Sequence, residues 1–278
     1  MNFNLYDYAK KKIIVVAHRG SAAGNIPCNT IPAYETALLS GADMIEIDVD
    51  ASADGKLYIF HPGMEKAHLG ADVKIGELTS EEIKNLRYVN YDRTPTQFTL
   101  NTLDEIFEQF RGRCFINVDK FWCNPEKITA AIKRHNIMDQ ILVKSSPSKA
   151  VFDVLRELAP DIAFMPIVRR THPSHGELVA SKINYIGAEV LFDSEENEVA
   201  SEEFIDMMHR DKKLVWANSI IYNHKDQLTA GHSDDAAICG DPEYGWGWLA
   251  RRGFDFIQTD WTSLLTTYLD KNGLLYRK

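Results

Sequence analysis

The sequence predicts a (β/α)8 barrel on three observations. Eight short apolar runs rich in β-branched residues are spaced along the chain, and most gaps between them hold one amphipathic helical pattern. The residues able to do chemistry gather at the C-terminal ends of those runs, where such barrels carry their sites. At 278 residues the chain suits a barrel of the usual size, about 250 residues, with a short insertion.

In chain order the runs are IIVVAH (13–18), MIEIDV (44–49), CFINVD (114–119), ILVKS (141–145), AFMPIV (163–168), AEVLF (188–192), KLVWAN (213–218) and DFIQTD (255–260). Helical patterns occupy 30–40, 80–86, 103–110, 125–134, 149–158, 202–209 and 244–252, and Ser80 with Ile83 and Leu86 reads as a capped amphipathic turn. A ninth run, 57–61, follows the second after only ASADGK. A parallel crossover needs about a dozen residues or more, so this run must fold back antiparallel and carry His61 toward the barrel mouth. Residues 62–100 are polar with little β pattern and hold one short helix; they read as an insertion over the mouth of a single domain spanning 1–278.

Composition narrows the function. With 45% hydrophobic and 26% charged residues the chain has ample material for a core. A net charge of −9 repels a phosphate-rich polymer, which argues against nucleic acid and requires any phosphate chemistry to come from a local site. Cys28, Cys114, Cys123 and Cys239 form neither a C-x-x-C pair nor a disulfide framework, so free thiols in a reducing compartment are expected, without structural zinc. The opening MNFNLYDYAKKK has no apolar leader core, and no stretch reaches the roughly 18 apolar residues of a membrane span. The expectation is a cytoplasmic protein without stable membrane insertion; the sequence does not indicate an oligomeric state.

The strand ends are unusually polar: His18-Arg19-Gly20, Glu46-Ile47-Asp48, His61, Asn117-Val118-Asp119 and Lys144. Glu46 and Asp48 are two residues apart, so an extended strand puts both carboxylates on one face and Ile45, Ile47 and Val49 on the other. Side by side they repel unless a hard divalent cation satisfies them, and Asp119 offers a third oxygen ligand. An isolated E-x-D pair is more simply paired with basic residues or solvated; the neighbouring His and Arg shift the reading to metal. His18 and His61 would face each other across it as proton donor and acceptor. Arg19 offers a planar fork for two phosphate oxygens, and Gly20 lets backbone approach closely. Trp216, at a run end, is the candidate contact for a substrate's organic portion.

HRG (18–20), P-x-N-T (27–30), GAD-x-IE-x-D (41–48), Ala53-Asp54-Gly55 and His61 resemble, in order and spacing, the N-terminal signature of the glycerophosphodiester phosphodiesterase family. The likeness continues through Ile75-Gly76-Glu77-Leu78-Thr79, Thr102-Leu103-Asp104-Glu105, Val215-Trp216 and Gly253-Phe254-Asp255 to Thr259-Asp260. The resemblance implies a barrel that hydrolyses small glycerophosphodiesters with one bound Mg2+ or Ca2+, Mn2+ being chemically compatible, as part of lipid metabolism. Carried over, it makes Glu46, Asp48 and Asp119 the metal ligands, Asp119 in place of the usual glutamate, and His18 and His61 the acid and base. It also implies that the attacking oxygen is the substrate's own glycerol hydroxyl, giving a cyclic phosphate.

Three positions depart from the family pattern. Cys28 stands for a glutamate, Pro62 for an aspartate, and Phe121 for a lysine two residues beyond the third ligand. Lys120 is displaced by one and should point outward from a regular strand, which leaves Lys144 as the expected replacement cation. Two further readings stand beside hydrolysis of a small diester: a lysophospholipase D or phospholipase C-like lipid phosphodiesterase, and a non-catalytic phosphate-binding homologue. His172, His175 and Glu177, like His224 and His232, read as solvated loop residues, whereas Tyr244, Trp246 and Trp248 either wall a pocket or staple the last helix.

Overall fold

The computed structural model describes residues 3–223 and 225–277; His224 lies outside the described residues. Eight strands close a parallel barrel: β1 (Ile14–Ala17), β2 (Met44–Ala51), β4 (Phe115–Asp119), β5 (Ile141–Ser145), β6 (Ala163–Arg169), β7 (Gly187–Leu191), β8 (Leu214–Asn218) and β11 (Phe256–Thr259). They run in the order β1-β11-β8-β7-β6-β5-β4-β2, and β2 pairs back onto β1. The extra strand β3 (Leu57–Ile59) pairs antiparallel to β2, as the short connection requires. A two-stranded ribbon, β9 (Ile221–Asn223) with β10 (Asp226–Gln227), rises after β8.

Period-2 alternation along the strands divides two cores. Ile45, Ile47, Val49, Ile116, Val118 and Val143 face outward to the helices. Ile14, Val16, Met44, Phe115, Leu142, Met165, Trp216 and Phe256 fill the barrel floor, against which α1 (Leu5–Ala9) packs. One inward step higher the fill becomes polar: Glu46, Asn117, Lys144, Glu189, Asn218 and Gln258 are all buried. The floor is thus a packed hydrophobic plug and the chemistry begins directly above it.

The helices α2 (Ile31–Leu39), α5 (Leu103–Phe110), α6 (Pro125–His135), α7 (Lys149–Leu158) and α9 (Glu202–Arg210) match the sequence patterns. In the insertion, α3 (Glu65–His68) and α4 (Ser80–Ile83) replace the single helix expected, and the cap of α4 is Thr79, not Ser80. Thr79 and Glu82 form a reciprocal capping box, while the Ser80 hydroxyl donates to Asp54 Oδ1 at 2.9 Å. Tyr58, Phe60, Leu69, Ile75, Ile83 and Tyr88 give this insertion its own small core beside β3.

Four helices are absent from the sequence reading: α1, α8 (His175–Val179), α10 (Asp234–Cys239) and α12 (Thr262–Lys271). The first three are too short for a 3.6-residue period to register. The last lacks a capping side chain and carries three threonines of low helix propensity, so packing of Leu265 and Leu269 on the barrel decides it. The expected helix at 244–252 begins as a π-helical turn, Glu243–Gly247, before α11 (Trp248–Arg252). Gly245 permits that turn, since a Cβ there would lie 2.6 Å from Ala237 Cβ.

Candidate active site

At the mouth Glu46, Asp48 and Asp119 each present a carboxylate oxygen, all within 4.8 Å of one another. The register of β2 on β4 sets Glu46 beside Asn117 and Asp48 beside Asp119, so two strand ends supply the cluster. Asp48 Oδ2 accepts from Asn29 Nδ2 at 3.0 Å and lies 2.9 Å from Arg19 Nε; its Oδ1 is buried without a hydrogen-bond partner among the described residues. Glu46 Oε2 accepts from the Arg19 backbone N–H at 2.9 Å, a contact allowed by the left-handed conformation of Arg19, φ 56°. Burial, then the charge of Asp48, pushes the Glu46 carboxyl up to about 7 against the opposing pull of His18 and Arg19. A bare buried oxygen beside a carboxylate that resists ionisation is the donor set a hard divalent cation fits.

His18 and His61 line the same cavity of about 110 Å3 as Glu46 and Asp119, as the resemblance implies. His18 Nδ1 lies 2.8 Å from Asp260 Oδ1, and because a carboxylate only accepts, Nδ1 carries the proton and Nε2 is left for chemistry. His61 Nδ1 donates in the same way to the Pro62 carbonyl at 2.9 Å, so backbone at the position of the altered residue holds that ring. The two rings are pushed apart electrostatically. Burial lowers the His18 pKa, but the Asp260 hydrogen bond and the Glu46 charge outweigh it and the net shift is upward; burial dominates at His61 and the net shift is downward.

The cation does not sit where the sequence reading puts it. Lys120 was expected to point outward, yet β4 ends at Asp119 and Lys120 adopts φ 60°. The turn brings its Nζ to 3.0 Å from Asp119 Oδ2 and into the site cavity, while Phe121 takes a buried core position. Burial would raise the Asp119 carboxyl, but Lys120 and then Lys144 hold it below the usual range. Lys144 lines the cavity too, deeper, with its Nζ 2.8 Å from Glu189 Oε2 and 4.0 Å from the centre of the Trp216 ring.

Trp216 itself corrects an expectation. It is fully buried, stacked on Phe256 with ring centroids 5.0 Å apart, and its Nε1 donates to Asn218 Oδ1 at 3.0 Å. It occupies the inward position one layer below the strand end, so it floors Lys144 and does not contact a ligand. His172 and His232 are likewise buried, not solvated. His172 bonds the Tyr185 hydroxyl at 2.9 Å, and His232 stacks 3.9 Å from Trp248 and bonds Glu195 at 3.0 Å. Trp246 is also structural: with Ser219 and Thr259 it donates to buried Asp234 Oδ1, and Asp234 Oδ2 accepts from the Asp260 N–H at 2.9 Å.

Residues the sequence reading gave no role are therefore Asn29, Lys120, Glu189 and Asp260. Asn29 and Asp260 each lie inside a quoted motif, the one signal that could have raised them.

A family profile described as a domain of unknown function matches residues 164–269. A glycerophosphodiester phosphodiesterase of Caldanaerobacter subterraneus is 30% identical over 159 residues, 54% of this chain and 65% of that protein. One from Bacillus subtilis is 29% identical over 175 residues, covering 54% and 58%. The chain thus spans less than two thirds of the length of these relatives. A glycerophosphoryl diester phosphodiesterase of Parabacteroides distasonis superposes with a TM-score of 0.80 at 20% identity, covering 98% of this chain and 93% of that one. An Oleispira antarctica phosphodiesterase in complex with the product sn-glycerol-3-phosphate gives 0.70 at 20% identity, covering 96% and 99%. In sequence signature and in barrel architecture, the chain is similar to glycerophosphodiester phosphodiesterases.

Proposed function

We propose that the protein hydrolyses a glycerophosphodiester to glycerol phosphate and an alcohol, using one divalent cation held by Glu46, Asp48 and Asp119. The observation that carries the reading is the convergence of three carboxylates and two oppositely tuned histidines on one cavity. Oxygen-only ligation suits Mg2+, Ca2+ or Mn2+. When bound, such a cation neutralises phosphate charge and lowers the pKa of an attacking hydroxyl.

The chain's own residues divide the remaining work. His61, kept neutral by burial, takes the proton of the attacking hydroxyl at Nε2, and that hydroxyl belongs to water or to the substrate's glycerol. His18, kept protonated by Asp260, gives a proton from Nε2 to the departing alcohol oxygen. Arg19, positioned over Asp48, and Lys120 supply positive charge to the phosphoryl oxygens, and Lys144 supports Asp119 from below. No helix among the described residues is long and apolar enough to cross a membrane.

The test is hydrolysis of a panel of glycerophosphodiesters by purified protein, with EDTA and then with each metal restored. Release of glycerol phosphate that EDTA abolishes and one metal restores is expected. Metal binding without turnover of any diester would assign the chain to phosphate binding instead.

A further inference from the structure

The site has a second chamber. A cavity of about 530 Å3 opens on the other side of His18 and Arg19, which line both it and the small carboxylate cavity. A third cavity of about 470 Å3, which shares the wall residues Ala22, Ala23, Cys28 and His68 with it, runs on to Tyr91 and Arg93. His61 lines only the small cavity. The chamber is therefore on the side of the histidine that protonates the leaving group.

Its walls are close to neutral. Ala22, Ala23, Trp261 and Leu264 are joined by the hydroxyls of Ser21 and Thr262. Among the described residues lining the first part, the charged side chains besides His18 and His68 are Arg19, spent on Asp48, and Asp260, spent on His18; Arg93 is the charged residue at the far end. The Cys28 thiol, 3.6 Å from His68 Nδ1, is pushed up to about 12 by burial and stays uncharged. A quaternary ammonium is bound by carboxylates or by several aromatic faces converging on it; here the carboxylate, Asp260, is engaged by His18, and the rings are divided, Trp261 in the first cavity and Tyr88 and Tyr91 in the other. The two cavities also far exceed the space one small headgroup fills.

From this geometry, and resting on the hydrolase reading above, we infer that the alcohol arm of the substrate lies in the chamber beside His18 and is uncharged, extended and partly apolar. In the step itself the bond from phosphorus to that arm's oxygen breaks as the bond to the attacking oxygen forms. The proton of the attacking hydroxyl goes to His61, and the arm leaves as a neutral alcohol with a proton from His18.

The experiment compares kcat/KM for the methyl, octyl and choline esters of glycerol 3-phosphate in the metal-loaded protein and in two variants of exposed chamber residues, Ala22→Trp and Leu264→Asp. The octyl ester is expected to exceed the choline ester at least tenfold. Ala22→Trp should remove that advantage, octyl turnover falling far more than methyl, and Leu264→Asp should narrow it by favouring choline. Turnover of the methyl ester with choline equal to or better than octyl would overturn the inference and leave the hydrolase reading standing. An octyl preference that survives both variants would place the arm elsewhere. Failure of the methyl ester along with the others would overturn both.

Discussion

The two ends of the barrel use the same buried carboxylates in opposite ways. At the floor, Asp43 accepts from Tyr8 Oη at 2.7 Å, Lys12 Nζ at 2.9 Å and the Val15 N–H at 3.0 Å. Asp255 is matched by His209 at 2.9 Å, Arg277 at 2.8 Å and the Val215 N–H at 2.7 Å. At the mouth three carboxylates converge, one oxygen has no hydrogen-bond partner among the described residues, and Glu46 resists ionisation. The floor is complete within the polypeptide and works for stability. The mouth keeps groups that the polypeptide does not satisfy, and the proposed cation would satisfy them.

The largest effect expected on this contrast is catalytic. His18→Ala and His61→Ala should each lower kcat by at least about 100-fold, the scale of losing a general acid or base; a near-normal rate in either would remove that ring from the mechanism. Next comes stability, read by denaturant unfolding in EDTA. Asp255→Ala at the floor should cost about 2 kcal/mol, since it leaves the buried Val215 N–H without its acceptor and breaks the contacts to part-exposed His209 and Arg277. Glu46→Gln at the mouth should do the reverse. Because the folded Glu46 carboxyl is raised from 4.5 to about 7, the unfolded chain loses its proton first. The metal-free protein should therefore lose about 3 kcal/mol as pH rises from about 4.5 through about 7. Glu46→Gln should abolish that loss, and a saturating divalent cation should reverse it in the native chain; an unchanged pH slope in the variant would show that the mouth carries no such strain.

Smaller effects sharpen the comparison. Asp260→Asn removes the interaction that keeps His18 protonated, so the alkaline limb of kcat should move to lower pH with the acid limb unmoved; a shift of both limbs would point to general disruption. Lys120→Met should lower kcat/KM by about tenfold, the value of one charge-assisted contact. If it has no effect while Lys144→Met is severe, the phosphate-side cation is the deeper lysine.

Strand positions were legible in the sequence because short length and β-branched, apolar composition coincide in the runs. The shared face of Glu46 and Asp48 followed from the period of two, whereas Asp119 came from its strand-end place and from the resemblance. Trp216 was misjudged by one inward step, because a run's last residues do not reveal where pairing stops. Asp260 could not be read as His18's partner, since 242 residues separate them and only closure of β1 on β11 joins them. His172 and His232 appeared solvated because their segments look like loops; tertiary packing against Tyr185 and Trp248 buries them. The chamber beside His18 was equally invisible, being assembled from the loop after β1, the insertion and the start of α12.

The left-handed residue at the end of β4 has one more consequence. Column by column, this chain is missing a lysine, and a tally of matched positions would score the site as damaged. One pair of backbone torsions at Lys120 cancels the offset of one place and returns an ammonium group to the carboxylates. Whether a motif is intact is thus a question about where atoms end up, and a gap in the alphabet can coexist with none in the chemistry.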